Sequence, residues 1–198
     1  MRSYSGRLGG AFVVVVLLLA IMPGLPGSQA QGGSTLTIAQ TQNPRGLHPQ
    51  RDTGIEGNLV LMQIVDRLIN VDRQGQLVPG LATSWEMPDD TTVVFHLRQG
   101  VRFHDGTPFD ADAVVFNFNL ITDLEASVLA GLYGPRIASV EAVDPLTVRV
   151  NLTTPWPDFL TRMANQSELG IHSPTAFRAA GDAYGSTVVV GTGPFKFV

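Results

Sequence analysis

No cysteine occurs in this sequence, and that absence removes several chemistries at once: disulfide staples, thiolate metal ligation, a thiol nucleophile and lipid attachment at a cysteine. Long apolar runs are nearly absent too. The one that exists, AFVVVVLLLAIM from Ala11 to Met22, rises only about 18 Å as a helix, well short of the roughly 30 Å hydrocarbon core of a bilayer. Positive charge is scarce, with one lysine, Lys196, and twelve arginines. Beyond residue 30, 11 basic side chains face 17 acidic ones, a formal charge of −6, which argues against a nucleic-acid partner. The GxSxG, HExxH and phosphate-loop signatures of hydrolases, zinc peptidases and nucleotide enzymes are also missing.

What is present begins with an export pattern. Arg2 and Arg7 precede the apolar run, Pro23 and Gly24 follow it, and Ser28-Gln29-Ala30 places small residues for cleavage after Ala30. The mature chain is therefore expected outside the cytoplasm, cleaved from its leader and without a lipid anchor. The remainder has an ordinary globular balance, 44 % hydrophobic and 15 % charged, enough for a sizeable core. After a Gly/Ser/Gln linker, Leu36-Thr37-Ile38 reads as a short strand. Asn43 to Gly57 is rich in proline, glycine and polar residues and reads as a loop of functional length. From Asn58, Leu59, Leu61, Met62, Val65, Leu68 and Ile69 recur at three and four and predict an amphipathic helix. Leu81 to Glu86 and Thr92 to Leu97 predict a hairpin turning at Met87 to Asp90. Ile137 to Val143 and Leu146 to Leu152 predict two more strands about Asp144-Pro145, with helices at 157–164 and 174–180.

One stretch concentrates titratable groups: HLRQGVRFHDGTPFDADAVVFNF, from His96 to Phe118, holds His104, Asp105, Asp110 and Asp112. Each has a structural task. His104-Asp105-Gly106 supplies turn chemistry, which puts His104 at a solvated turn edge. Asp110 reads as a helix N-cap, Asp112 faces the positive end of that helix, and Phe109 can staple onto Val114. Asp110 and Asp112, two apart, do not share a helix face, so no carboxylate is left over for a metal. His48, in the long loop, and His172 read as surface residues without a partner at ligand spacing. A secreted hydrolase built on His104 or His48 stays open as an alternative, as does a secreted sensor or chaperone-type binding domain.

The order of pieces in LVPGLATSWEMPDDTTVVFHLRQGVRFHDGTPFDADAVVFNF, from Leu77 to Phe118, together with LHPQ at Leu47 to Gln50, DPLTVRVNL at Asp144 to Leu152, SPTAF at Ser173 to Phe177 and VGTGPFKF at Val190 to Phe197, resembles the family 5 solute-binding proteins. These are the oligopeptide-, dipeptide- and nickel-binding components of ABC importers. The likeness runs from about Leu36 to Val198. It implies an α/β, periplasmic binding protein-like two-lobed fold of which this chain carries the first lobe only, a mixed sheet with flanking helices plus a β-hairpin subdomain. Residues 31–70 and 171–198 would belong to the large lobe and 71–170 to an attached subdomain, so that the chain is expected to be the N-terminal part of a longer protein and to bind weakly by itself. The implied function is capture of a peptide, metal chelate or similar small solute and delivery to permease subunits in the inner membrane, without catalysis and without a cofactor. By the same resemblance Asp52, Thr53, Gly54, Gly57, Ala130, Tyr133, Asn165 and Ser167 are cleft-facing candidates. In some relatives the matching places carry large aromatic or arginine side chains, whereas Ala130 and Ser167 are small.

Overall fold

Alternation of buried and exposed residues organises the chain around one antiparallel sheet. The computed structural model describes residues 37–198 apart from Thr53 and Leu124; the expected leader, Leu36 and the candidate Thr53 lie outside the described residues. Residues 40–198 form one compact unit. The elements are α1 (Ile55–Ile64), β1 (Ile69–Val71), β2 (Leu77–Pro79), β3 (Ala82–Asp89), β4 (Thr92–Leu97), α2 (Ala111–Thr122), α3 (Ala130–Tyr133), β5 (Ile137–Asp144), β6 (Thr147–Leu152), α4 (Phe159–Asn165) and α5 (Pro174–Ala180). β1 and β2 pair as a small ribbon, and the larger sheet has the order β3-β4-β6-β5, antiparallel throughout. The only parallel pairing among the described residues is an isolated bridge between Tyr184 and Val188.

The period of two dictates the sheet's sidedness. Val93, Phe95, Val148 and Val150 are fully buried, and they face the core beneath α2. On the opposite face Glu86, Val94, Arg149 and Glu141 stand in one cross-strand row, where opposite charges sit beside each other, Arg149 Nη1 lying 3.9 Å from Glu141 Oε2. The turn between β3 and β4 falls at Asp90-Thr91, later than the residues expected for it. Met87 and Pro88 instead stay within β3, because β3 is an edge strand and a register shift between Glu86 and Asp89 relieves the missing proline N–H.

α2 starts where the sequence places it. Asp110 is extended and its Oδ1 accepts the N–H of Ala113 at 3.0 Å, while Phe109 and Val114 are both buried in the main core. Asp110→Ala is expected to lower stability by about 0.5 to 2 kcal/mol; urea melts of the two chains check it, and an unchanged midpoint would refute the cap.

α1 departs from expectation. It spans Ile55–Ile64 rather than continuing to Ile69, and it buries Gly57, Leu61 and Ile64 while Leu59 and Met62 are exposed. Leu68 and Ile69 carry the apolar spacing onward, but as a buried turn and strand in the main core, a case where an apolar run suits either backbone. The helix ends because the C-terminal segment takes over its free carbonyls: Gly193 N–H donates to Ile64 O at 2.9 Å and Phe195 N–H to Gln63 O at 3.1 Å. Only glycine permits this approach, since a Cβ at residue 193 would stand 2.7 Å from the Ile64 carbonyl carbon and 2.8 Å from Gln63 O. A second, smaller core joins Leu47, Leu61, Ile64 and Val65 to Val189.

Candidate functional site

The loop before α1 builds a polar concavity of about 370 Å³, lined by Gln42, Asn43, Arg45, Gly46, Arg51, Asp52, Gly54, Glu56 and Gly57. Three of the expected residues, Asp52, Gly54 and Gly57, meet there. The loop's shape comes from its own backbone accounting. His48 O accepts the N–H of Asp52 at 2.9 Å, and the Asp52 carboxylate turns back to accept the N–H of His48 at 3.1 Å. His48 Nδ1 accepts the N–H of Gln50 at 3.2 Å, which assigns the ring proton to Nε2. Buried Gln50 ties the loop to the segment after α2, accepting from Ser127 Oγ at 2.8 Å through its side chain and from Val128 N–H at 3.0 Å through its carbonyl. Arg51 Nη1 lies 3.2 Å from Asp182 Oδ1 on the surface. Gly57 is required sterically, because a Cβ there would stand 2.8 Å from Gly46 O. Two guanidinium groups, two carboxylates and a run of amides suit a small polar or zwitterionic solute better than an apolar one.

The other candidates lie elsewhere. Ser167 lines a small polar concavity with Met62, Val65, Asp66, Arg67 and Asn70. Asn58, next to Gly57, donates from Nδ2 to Glu168 Oε1 at 2.8 Å, so α1 runs between the two places. Asn165 is exposed and donates to Thr161 O at 2.8 Å. Ala130 and Tyr133 are fully buried. The Tyr133 ring packs on Trp156 with centroids 5.7 Å apart, and its hydroxyl, pushed up to about 12 by burial, donates to Gln166 Oε1 at 3.1 Å. Arg45, Arg51 and Glu56 were not singled out from sequence; the signal that could have found them is charge inside a proline- and glycine-rich loop.

All three histidines expected at the surface turn out to hold the chain together. His104 does not stand at a solvated turn edge. A carbonyl only accepts, so the 2.7 Å contact between its Nε2 and Gly193 O makes that nitrogen the donor, and the His104 N–H donates to Gly191 O at 2.9 Å. The adjacent Asp105 accepts from Thr107 Oγ1 and from Ser173 Oγ, each at 2.6 Å. Through these bonds the turn docks on the C-terminal segment and on the start of α5. His48 is buried between Phe177 and Tyr184. His172 is fully buried, and its backbone is clasped by Asn117, whose Oδ1 accepts its N–H at 3.0 Å and whose Nδ2 donates to its carbonyl at 2.9 Å. The Tyr184 hydroxyl stands 2.9 Å from His172 Nδ1, donates to Val190 O at 3.2 Å and accepts from Val190 N–H at 3.1 Å. Its one proton goes to the carbonyl, so Nδ1 carries the histidine's proton and donates to the phenol oxygen. Sequence spacing could not reveal the contacts of His104 with Gly193, Asp105 with Ser173 and His172 with Asn117, since those partners lie 55 to 89 residues apart.

The sequence profile of the Bacterial extracellular solute-binding proteins, family 5 Middle, matches residues 76–198. The chain belongs to this family. It is 31 % identical over 182 residues to the Glutathione-binding protein GsiB of Shigella flexneri, an alignment covering 91 % of this chain and 35 % of that protein. Among solved structures it is similar to MoaA from A. tumefacien in complex with mannopinic acid, at 31 % identity and a TM-score of 0.71 over 78 % of this chain and 32 % of that one. It is also similar to the periplasmic binding protein DppA of Helicobacter pylori in complex with the peptide STSA, at 28 % identity and a TM-score of 0.69 over 79 % and 35 % of the two chains. The family 5 chain described here thus spans about a third of the length of these relatives. Its α/β architecture is that of a periplasmic binding protein, and the relatives it matches are binding proteins.

Proposed function

We propose that this family 5 protein is the extracytoplasmic solute-binding component of an ABC importer, capturing a peptide or related small solute, a metal chelate included, and handing it to permease subunits in the inner membrane. The observation that carries the reading is the family match over residues 76–198. The polar concavity at Arg45, Arg51, Asp52 and Glu56 is the part of this chain best suited to touch such a solute. Residues 31–70 and 171–198 belong to the large lobe in this reading and 71–170 to its attached subdomain. The smaller core fits the division around α1, drawing on Leu47, Leu61, Ile64, Val65 and Val189 and on nothing between 71 and 170, while Leu68, Ile69 and Ile171 join the two parts through the main core. Capture is a hinge closure in which tighter binding to the closed state supplies the free energy. The hydrolase and the sensor or chaperone gain no support from the geometry, in which His104 and His48 make backbone contacts.

Among the described residues no helix is long and apolar enough to cross a membrane. Export through a cleaved leader to the periplasm, without a lipid anchor, completes the proposal. Expression in an exporting host is expected to yield soluble periplasmic protein beginning at Gln31. Calorimetry with glutathione, short peptides and a nickel chelate, on a chain as long as the relatives, is expected to give saturable heat with one class and no product. Turnover of a peptide, or intact leader in the membrane pellet, would overturn the corresponding part.

A further inference from the structure

One of the bonds that shape the wall of the polar concavity ends on an imidazole nitrogen. His48 Nδ1 is the acceptor for the Gln50 N–H, and residues 48–52 close on themselves through that bond, the Asp52 N–H to His48 O and the His48 N–H to the Asp52 carboxylate. Arg51 and Asp52, inside this turn, are lining residues. We propose that the His48 imidazole is a proton-operated latch on this loop: neutral, it holds the wall in its solute-ready shape, and protonated, it lets the wall loosen. The inference rests on reading the concavity as the solute site.

The electrostatic surroundings are mixed. From its own loop His48 meets Arg51 and Asp52, and from the turn after α5 it meets Asp182, itself joined to Arg51. The Tyr184 ring packs against it, α5 contributes Phe177, and neutral His172, from the segment before α5, packs on Tyr184. Arg178 of α5 is turned over the Phe116 ring at 4.6 Å. Burial first, and then Arg51, hold the imidazole below its ordinary value, against the opposing pull of Asp52 and Asp182. Proton uptake at Nδ1 turns the bond to Gln50 into a contact between two donors. The new imidazolium also draws the Asp52 carboxylate away from the His48 N–H, so two of the bonds that shape the turn weaken together.

Amide hydrogen exchange read by NMR on the full chain, between about pH 7 and about pH 5, a window carried below the ordinary imidazole range because His48 is held below it, tests this without a ligand. The Gln50 amide is expected to lose roughly tenfold protection, beyond the intrinsic pH effect, as one hydrogen bond opens, while Val93 and Phe95 in β4 stay protected. In His48→Asn the carboxamide oxygen sits where Nδ1 was, accepts the same N–H and takes up no proton, so Gln50 is expected to stay protected throughout. A Gln50 loss that is equal in His48→Asn, or that occurs only together with Val93 and Phe95, overturns the latch. Titration of a chain as long as the relatives with glutathione, short peptides and a nickel chelate forms the second arm, with weaker binding of the class that gives heat expected at the lower pH for the wild type only. Equal binding at both pH values overturns the coupling. No heat from any of the three classes at either pH sinks the reading of the concavity as the solute site and leaves the loop result standing by itself.

Discussion

Asn117→Ala is expected to lower the stability of the chain by about 3 to 5 kcal/mol, although Asn117 sits mid-helix, where asparagine is a mediocre helix former. Its carboxamide acts as a substitute strand: one side chain both accepts from and donates to the backbone of His172, a residue with no exposed surface. Alanine would leave a buried N–H and a buried carbonyl without partners. Each orphaned group costs about 1 to 3 kcal/mol, and the space vacated among Phe118, Ala113 and the segment at 172 adds a smaller cavity term. The third bond, Nδ2 to Ala113 O at 2.8 Å, matters less, because that carbonyl lies within α2 and has the helical ladder as well. Asn119→Ala, two residues along the same helix and exposed, serves as the control and is expected to move stability by no more than about 0.5 kcal/mol. Urea melts of the three chains decide it. Equal, small losses for both variants would mean that the segment at 172 is held by its apolar neighbours alone.

Acid is expected to destabilise the fold well before the carboxylates titrate. Burial, with a smaller contribution from nearby His48, lowers His172 from its ordinary 6.5 to about 3. A base lowered in the folded state binds fewer protons there than in the unfolded chain, so stability is fully present above pH 6.5 and drains away as the pH falls toward about 3. At 1.36 kcal/mol per pH unit, two units below the unfolded value correspond to about 2 to 3 kcal/mol lost near pH 4.5. His48, lowered in the same direction, steepens the slope. Asp105 is also lowered, with bonds from Ser173 and Thr107 opposing its burial, and its stabilising share disappears only at more acidic pH. His172→Phe removes the titration while keeping an aromatic ring beside Tyr184, and it also removes the buried Nε2 that has no partner. Its stability is expected to fall with pH by about one proton less than that of the wild type between pH 6.5 and 4.5. The same slope in both chains would place the acid sensitivity elsewhere.

Much of the local structure was legible from residue order, and the reason is range. Asp110 caps α2 through an atom three residues away, well within the reach of a short side chain, so the residue type and its spacing suffice. The β5–β6 hairpin is legible for the same reason: Asp144 Oδ1 accepts the Leu146 N–H at 2.8 Å across the turn. Legibility fails where two backbones could satisfy one pattern. The spacing from Leu59 to Ile69 fits a helix throughout, yet the chain leaves α1 after Ile64, because the N–H groups of Gly193 and Phe195 take up its last carbonyls. At the candidate site the loop was recognisable by composition and Asp52, Gly54 and Gly57 do share a concavity, whereas Ala130 and Tyr133 are buried and Ser167 lines a different one.

The sequence by itself determined the family, through the order of its segments, and the local elements, through periodicity, turn residues and caps. It also excluded thiol chemistry from these 198 residues, which hold no cysteine. Tertiary structure alone decided that β4 pairs with β6 and that Asn117 clasps His172. It likewise decided that His104 holds Gly193, 89 positions away. Those pairings depend on which distant backbone groups are stripped of water together. A buried donor must then find whatever acceptor the fold brings to it, and no spacing rule along the chain encodes that meeting.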